Sequence, residues 1–179
     1  MRYVAFLRAI NVGGHIVRMD VLRKSFVRLG FQDVETFIAS GNVLFTSPSR
    51  DTARLERQIE GRLEQDLGYE VSTFVRTSDD VISIAAYQPF PEGSTNGAML
   101  YVGFLADSLP ALRRKTLEGL CTPIDTLHVN KREWYWLCQK KQSESRISNA
   151  TIEKTLSQRS TLRGMNTLVR LAKRLQSEQ

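Results

Sequence analysis

Short apolar runs alternate with longer amphipathic stretches along this chain. Residues 2–9, rich in Val, Phe, Leu and Tyr, stop at Asn11-Val12-Gly13-Gly14 and predict a buried strand closed by a turn. From Met19 the apolar positions Val21, Leu22, Phe26, Val27 and Leu29 recur at helical spacing, and Gly30 supplies the stop. Residues 33–39 and 43–46 are strand-like on either side of Ser40-Gly41-Asn42, which predicts a hairpin. Beyond Pro48, the seam Leu55, Ile59, Leu63 and Leu67 predicts a helix over 52–67 that Gly68 ends, and 71–75 is a further strand.

The order strand, helix, strand, strand, helix, strand is the split βαβ, ferredoxin-like arrangement, here within residues 1–76. The rest predicts a short helix from Ser78 to about Ala86, a Pro-rich loop and a strand over 98–106. A helix opening at Ser108-Leu109-Pro110 and running to about Leu120 comes next. A second hairpin pairs 125–129 with 133–139, and helices over 149–156 and 166–175 complete the pattern. The segments 3–9 and 101–107 match at Tyr, Val, Phe and Leu, and similar elements follow each, so an internal duplication is expected. Its second copy ends in a helix without a legible fourth strand. The expected fold class is therefore α+β: a ferredoxin-like βαββαβ half (1–76) packed on a related but rearranged half ending in helices (77–179), the two sharing a core. The first strand and its hairpin are apolar on both faces, which calls for cover on both. RNA-recognition domains of the same topology instead leave one face open.

Composition narrows the class. The 179 residues are 41% hydrophobic and 25% charged, ordinary for a globular domain. The cysteines, Cys121 and Cys138, have no paired spacing, so no disulfide framework or zinc site is legible, and no cofactor motif is present. The opening apolar stretch ends at Arg8, too short for a signal-peptide core, and the run 98–106 is less than half the roughly 20 residues of a membrane helix. A cytoplasmic protein without membrane contact is expected. Its net charge of +6 is uneven: residues 1–110 hold 11 Lys and Arg against 13 Asp and Glu, a net −2, and 111–179 hold 14 against 6, a net +8. A basic C-terminal third is either a solvated surface or a footprint for phosphate or nucleic acid.

In the split βαβ topology the first two strands run parallel, so the Gly13-Gly14 turn and the 40–42 hairpin emerge at one end of the sheet. Arg8, Asn11, Gly13, Gly14, Ser40, Gly41 and Asn42 would then surround a glycine-lined polar rim. A cation, amides, a hydroxyl and free backbone N–H groups suit a phosphate or carboxylate. The spacing fits neither the P-loop nor the dinucleotide fingerprint, and a simple tight turn would need the same glycines. His15 is the one candidate general base there; neither it nor His128 has metal-ligand spacing. Trp134, Trp136 and Cys138 share a strand face, which reads as core. Arg163 precedes a helix start capped by Asn166 or Thr167, where an arginine implies a shared anion or an internal salt bridge.

Four ordered segments, Arg8–Gly14, Phe37–Val43, Ser145–Asn149 and Arg163–Thr167, resemble the bacterial family known as domain of unknown function 1697 over nearly the whole chain. The resemblance implies a compact α+β fold with a ferredoxin-like N-terminal part and no particular activity. Many members have glycine where this chain has Ala9. The leading expectation is a binding protein for an anionic or phosphate-bearing small molecule at the rim, with Arg163 and Asn166 contributing. Nucleic-acid binding by the basic third and an enzyme using His15 as base are the alternatives.

Overall fold

The computed structural model describes residues 1–8, 10, 16–38, 41–92 and 97–178. It has two compact units, one of residues 1–83 with 171–179 and one of residues 84–170.

The first unit runs β1 (Arg2–Leu7), α1 (Met19–Arg28), β2 (Gln32–Thr36), β3 (Asn42–Thr46), α2 (Thr52–Leu67) and β4 (Thr73–Thr77), and α3 (Ser78–Ala86) begins within it. The strands form an antiparallel sheet in the order β2-β3-β1-β4. With β3 antiparallel to both, β1 and β2 point the same way, as a split βαβ unit requires. Two strands are displaced from expectation. β2 ends at Thr36, because Phe37 already turns the hairpin, and β4 starts two residues late, at Thr73.

The helices owe their limits to local chemistry. Asp51 caps α2 by accepting from the Arg54 N–H at 2.9 Å, and Gly68 ends it at φ +80°, in the left-handed region. The expected seam faces the core: Leu55, Ile59 and Leu63 are buried with Tyr3, Ala5 and Leu7 of β1. Phe45 centres an aromatic cluster, 4.5 Å from Phe31 and 5.5 Å from Phe26 and Tyr3, centroid to centroid. Val4 and Phe6, on the other face of β1, are also fully buried, so this sheet offers no open stacking surface at β1. Asp66 fastens α2 to α1. It accepts from Ser25 at 2.6 Å, from Arg28 at 3.2 Å and from Arg62 one turn away.

The second unit contains β5 (Met99–Leu105), α4 (Ala111–Glu118), β6 (Asp125–Asn130), β7 (Glu133–Cys138), a 3-10 turn (Gln142–Glu144), α5 (Asn149–Leu156) and β8 (Ser160–Gly164), and α6 (Met165–Gln176) begins in it. Its sheet order, β6-β7-β5-β8, repeats that of the first unit, every neighbour again antiparallel. This corrects the expected lack of a fourth strand: β8 pairs with β5 from Tyr101↔Gly164 to Leu105↔Ser160. Pro110 is the cap of α4 rather than a residue of its first turn. Trp134, Trp136 and Cys138 are core residues, as read from the sequence. Gly103 lies opposite Trp134, and a Cβ there would come within 2.0 Å of the indole.

Helix carboxylates take up main-chain N–H groups at the sheet edges. On β4, Glu60, Glu56 and Asp80 accept from Thr73, Val75 and Thr77 at 2.9, 2.8 and 3.2 Å. On β8, Glu153 accepts from Ser160 at 2.7 Å; on β6, Glu118 accepts from Val129 at 3.3 Å. An edge whose N–H groups are occupied cannot template another strand.

Candidate functional site

The rim of the first unit is built where β1 ends. The Leu7 N–H donates to the Gly41 carbonyl and the Arg8 N–H to the Ser72 carbonyl, both at 2.8 Å. Gly41 has φ +72°, and a Cβ on it would lie 3.1 Å from Ile10 Cβ and 3.2 Å from Leu7 Cβ. Conformation and space both call for glycine at this position. Asn42 is buried, its amide donating to the Phe37 carbonyl at 3.1 Å while the Phe37 N–H donates back to the Asn42 carbonyl at 2.9 Å. Arg8, Ile10, Gly41 and Asn42 thus meet at one end of the sheet. Asn11, Gly13, Gly14, His15 and Ser40 lie outside the described residues.

Arg163 and Asn166 belong to the second unit. Arg163 is a buried residue of β8 whose guanidinium donates to the Thr161 hydroxyl at 2.9 Å and to the Leu162 carbonyl at 2.8 Å. Burial lowers its pKa to about 10, so it stays cationic at neutral pH. Asn166 stands exposed in the first turn of α6, and its side chain makes no hydrogen bond among the described residues. It lines a cavity of about 460 Å³ whose walls include Tyr87, Phe90, Met99, Leu100 and Met165.

Sequence reasoning missed what holds one of those walls. The Tyr87 hydroxyl and His128 Nε2 share a hydrogen bond of 3.0 Å, His128 Nδ1 lies 3.8 Å from Glu118 Oε1, and the Tyr87 ring packs on Tyr135 at 5.2 Å. From sequence, His128 shows only a lack of metal-ligand spacing. The partner comes from 41 residues away, with no local signal to announce it.

The Ser145–Asn149 motif holds the second unit together. Ser145 donates to the buried Asp125 carboxylate at 2.8 Å, beside bonds from Trp136 Nε1 at 2.8 Å and Thr122 at 2.7 Å. Burial pushes the Asp125 pKa up, but these donors outweigh it and hold the group below its ordinary value. Ser148 caps α5 through the Thr151 N–H, and Asn149 donates to the Ser160 carbonyl, joining α5 to β8.

Among the described residues no group of three or more His, Cys, Asp or Glu is placed to hold a metal, and no helix is long and apolar enough to cross a membrane. No curated protein matches the chain. Among solved structures, the chain is similar to the conserved bacterial protein SP0830 from Streptococcus pneumoniae, with a TM-score of 0.78 at 23% identity over 98% of both chains. That likeness is one of fold. The family model described as protein of unknown function (DUF1697) matches residues 1–135, and the chain belongs to this family.

Proposed function

We propose that the protein binds a small anionic molecule, received in the second unit by the cavity at the start of α6. The cavity itself carries this reading: at about 460 Å³ it falls within the range of small-ligand sites, with aromatic and thioether walls beside the polar side chains of Gln88, Glu92 and Asn166. Asn166 supplies an amide without a partner among the described residues, and the opening turn of α6 favours a negative group beside it. Tyr87 and Phe90 give a flat ring something to pack on. A rim site in the first unit is the second reading, favoured by the close approach of Gly41 to Ile10 and Leu7, which gathers the Arg8 segment against the hairpin. For a polyanion less charge is available than the sequence suggests, since Arg174 is held by Glu35 and Glu178 and Lys140 lies 3.9 Å from Glu144.

A thermal-shift screen against nucleotides, sugar phosphates and aromatic carboxylates tests the proposal. A ligand at 100 times its dissociation constant stabilises by about 2.7 kcal/mol, a shift of roughly 5–10 °C for a chain of this size. Asn166→Leu should abolish the shift and Arg8→Ala should leave it. The reverse pattern moves the site to the rim, and no shift from any compound removes the proposal.

A further inference from the structure

Each unit repeats the same sheet order, so the molecule has four sheet edges: β2 and β4 in the first unit, β6 and β8 in the second. β4 and β6 are closed by side chains, and β8 is blocked at its first residue. Glu60, Glu56 and Asp80 occupy N–H groups of β4, and Glu153 occupies that of Ser160 on β8. On β6, the N–H groups of Leu127 and Val129 go to Cys121 Sγ and Glu118. On β2, no side chain among the described residues accepts a main-chain N–H.

The register says which groups of β2 face outward. Phe37 N–H bonds to the Asn42 carbonyl, so the next pair, Thr36↔Val43, is the non-hydrogen-bonded kind. Thr36 therefore directs both its N–H and its C=O away from β3. Further back, a register shift between Gln32 and Glu35, with Asp33 at φ +48°, interrupts the ladder. This bulge confines any added pairing to a short stretch around Thr36.

Side chains on both sides of β2 help line a concavity of about 1030 Å³: Arg23 and Val27 from α1, Arg174 from α6 and Glu178 from the turn that follows it. The two groups differ electrically. Arg174 is neutralised by Glu35 at 3.0 Å and Glu178 at 2.9 Å. Arg23 is exposed and makes no ion pair among the described residues, and Val27, one helical turn on, is half exposed.

From this geometry we infer that the edge of β2 is a docking site for an extended peptide segment of another protein, one that sets an acidic side chain against Arg23 and an apolar one against Val27. Main-chain bonds to Thr36 supply the strand addition and the α1 side chains the selectivity. Charge complementarity argues for this occupant: of the arginines lining the concavity, Arg2 and Arg174 are paired with carboxylates, and Arg23 has no ion pair among the described residues.

The test is selection of a displayed library of random 12-residue peptides on the full chain. Enriched peptides should carry Asp or Glu two residues from Val, Ile or Leu. A synthetic copy should slow amide hydrogen exchange in residues 33–38, and its binding should weaken at least tenfold with Arg23→Glu, a surface change remote from the core. Thr36→Pro, which removes the outward N–H without breaking a main-chain bond to β3, should weaken it similarly. Absence of enrichment, basic consensus peptides, or binding that survives Arg23→Glu each overturns the inference.

Discussion

Replacing Gly103 by alanine tests the packing of the second unit most directly. The added Cβ would lie 2.0 Å from Trp134 Nε1 and Cε2 and 2.5 Å from Cζ2, so the indole must shift by roughly 1.5 Å to restore ordinary contact. Trp134 is fully buried, and its Nε1–H donates to the Ser160 hydroxyl at 2.9 Å. Overpacking costs about 1–3 kcal/mol, and an indole N–H pulled from its acceptor about 1–3 kcal/mol more. Reduced unfolded-state entropy returns about 0.4–1 kcal/mol, which leaves a net loss of roughly 1–5 kcal/mol. Urea unfolding followed by tryptophan fluorescence reads this out, because both tryptophans of the chain, Trp134 and Trp136, lie in the same unit. Trp134→Leu in the Gly103→Ala background removes the clash, so the double variant should be more stable than the sum of the singles predicts by at least about 1 kcal/mol. A single-variant loss under about 0.5 kcal/mol, or strict additivity, would refute the argument.

Three further outcomes are expected. Asp66, with its pKa lowered to about 2 by hydrogen bonds from Arg62 and Ser25, contributes stability that is complete above its unfolded value of 3.8 and lost as pH falls toward 2. Solvent screening reduces that contribution to about 1 kcal/mol, so acid unfolding of Asp66→Asn, followed by circular dichroism, should have a shallower pH dependence between pH 4 and pH 2 than wild type, by roughly that amount. Phe45→Ala should cost about 3–5 kcal/mol in chemical denaturation, since it removes the ring at the centre of the Tyr3, Phe26 and Phe31 cluster. Glu56→Ala should cost about 1–3 kcal/mol by stranding the buried Val75 N–H, whereas Glu56→Gln, which keeps an acceptor, should cost clearly less in the same assay.

What could be read from the sequence depended on how local each constraint is. Gly41 announced itself because a left-handed φ is a property of one residue, and α2 because its cap and seam repeat within sixteen. The fourth strand of the second unit did not. Ser160-Thr161-Leu162-Arg163-Gly164 has one large apolar residue, and what holds it comes from elsewhere: pairing with β5, the Asn149 amide on the Ser160 carbonyl and the Trp134 indole on the Ser160 hydroxyl. The cavity at α6 was not legible: from sequence Asn166 is expected at the rim, and the other walls come from segments up to about eighty residues earlier in the chain.

The edge carboxylates carry this reasoning one step further. Glu56 and Glu60 are four residues apart on α2, a spacing that in sequence is indistinguishable from a solvated charged face. Their partners are main-chain N–H groups of β4, which have no side-chain identity to recognise. Glu153 on α5 performs the same service for β8. In both units the helix before the last strand thus places a carboxylate on an outer N–H of that strand, although the two units share few residues outside the first strand of each. By the same logic the edge left without an acceptor, β2, is informative: its protection comes from a bulge and the positive φ at Asp33, which shorten the available ladder without closing it.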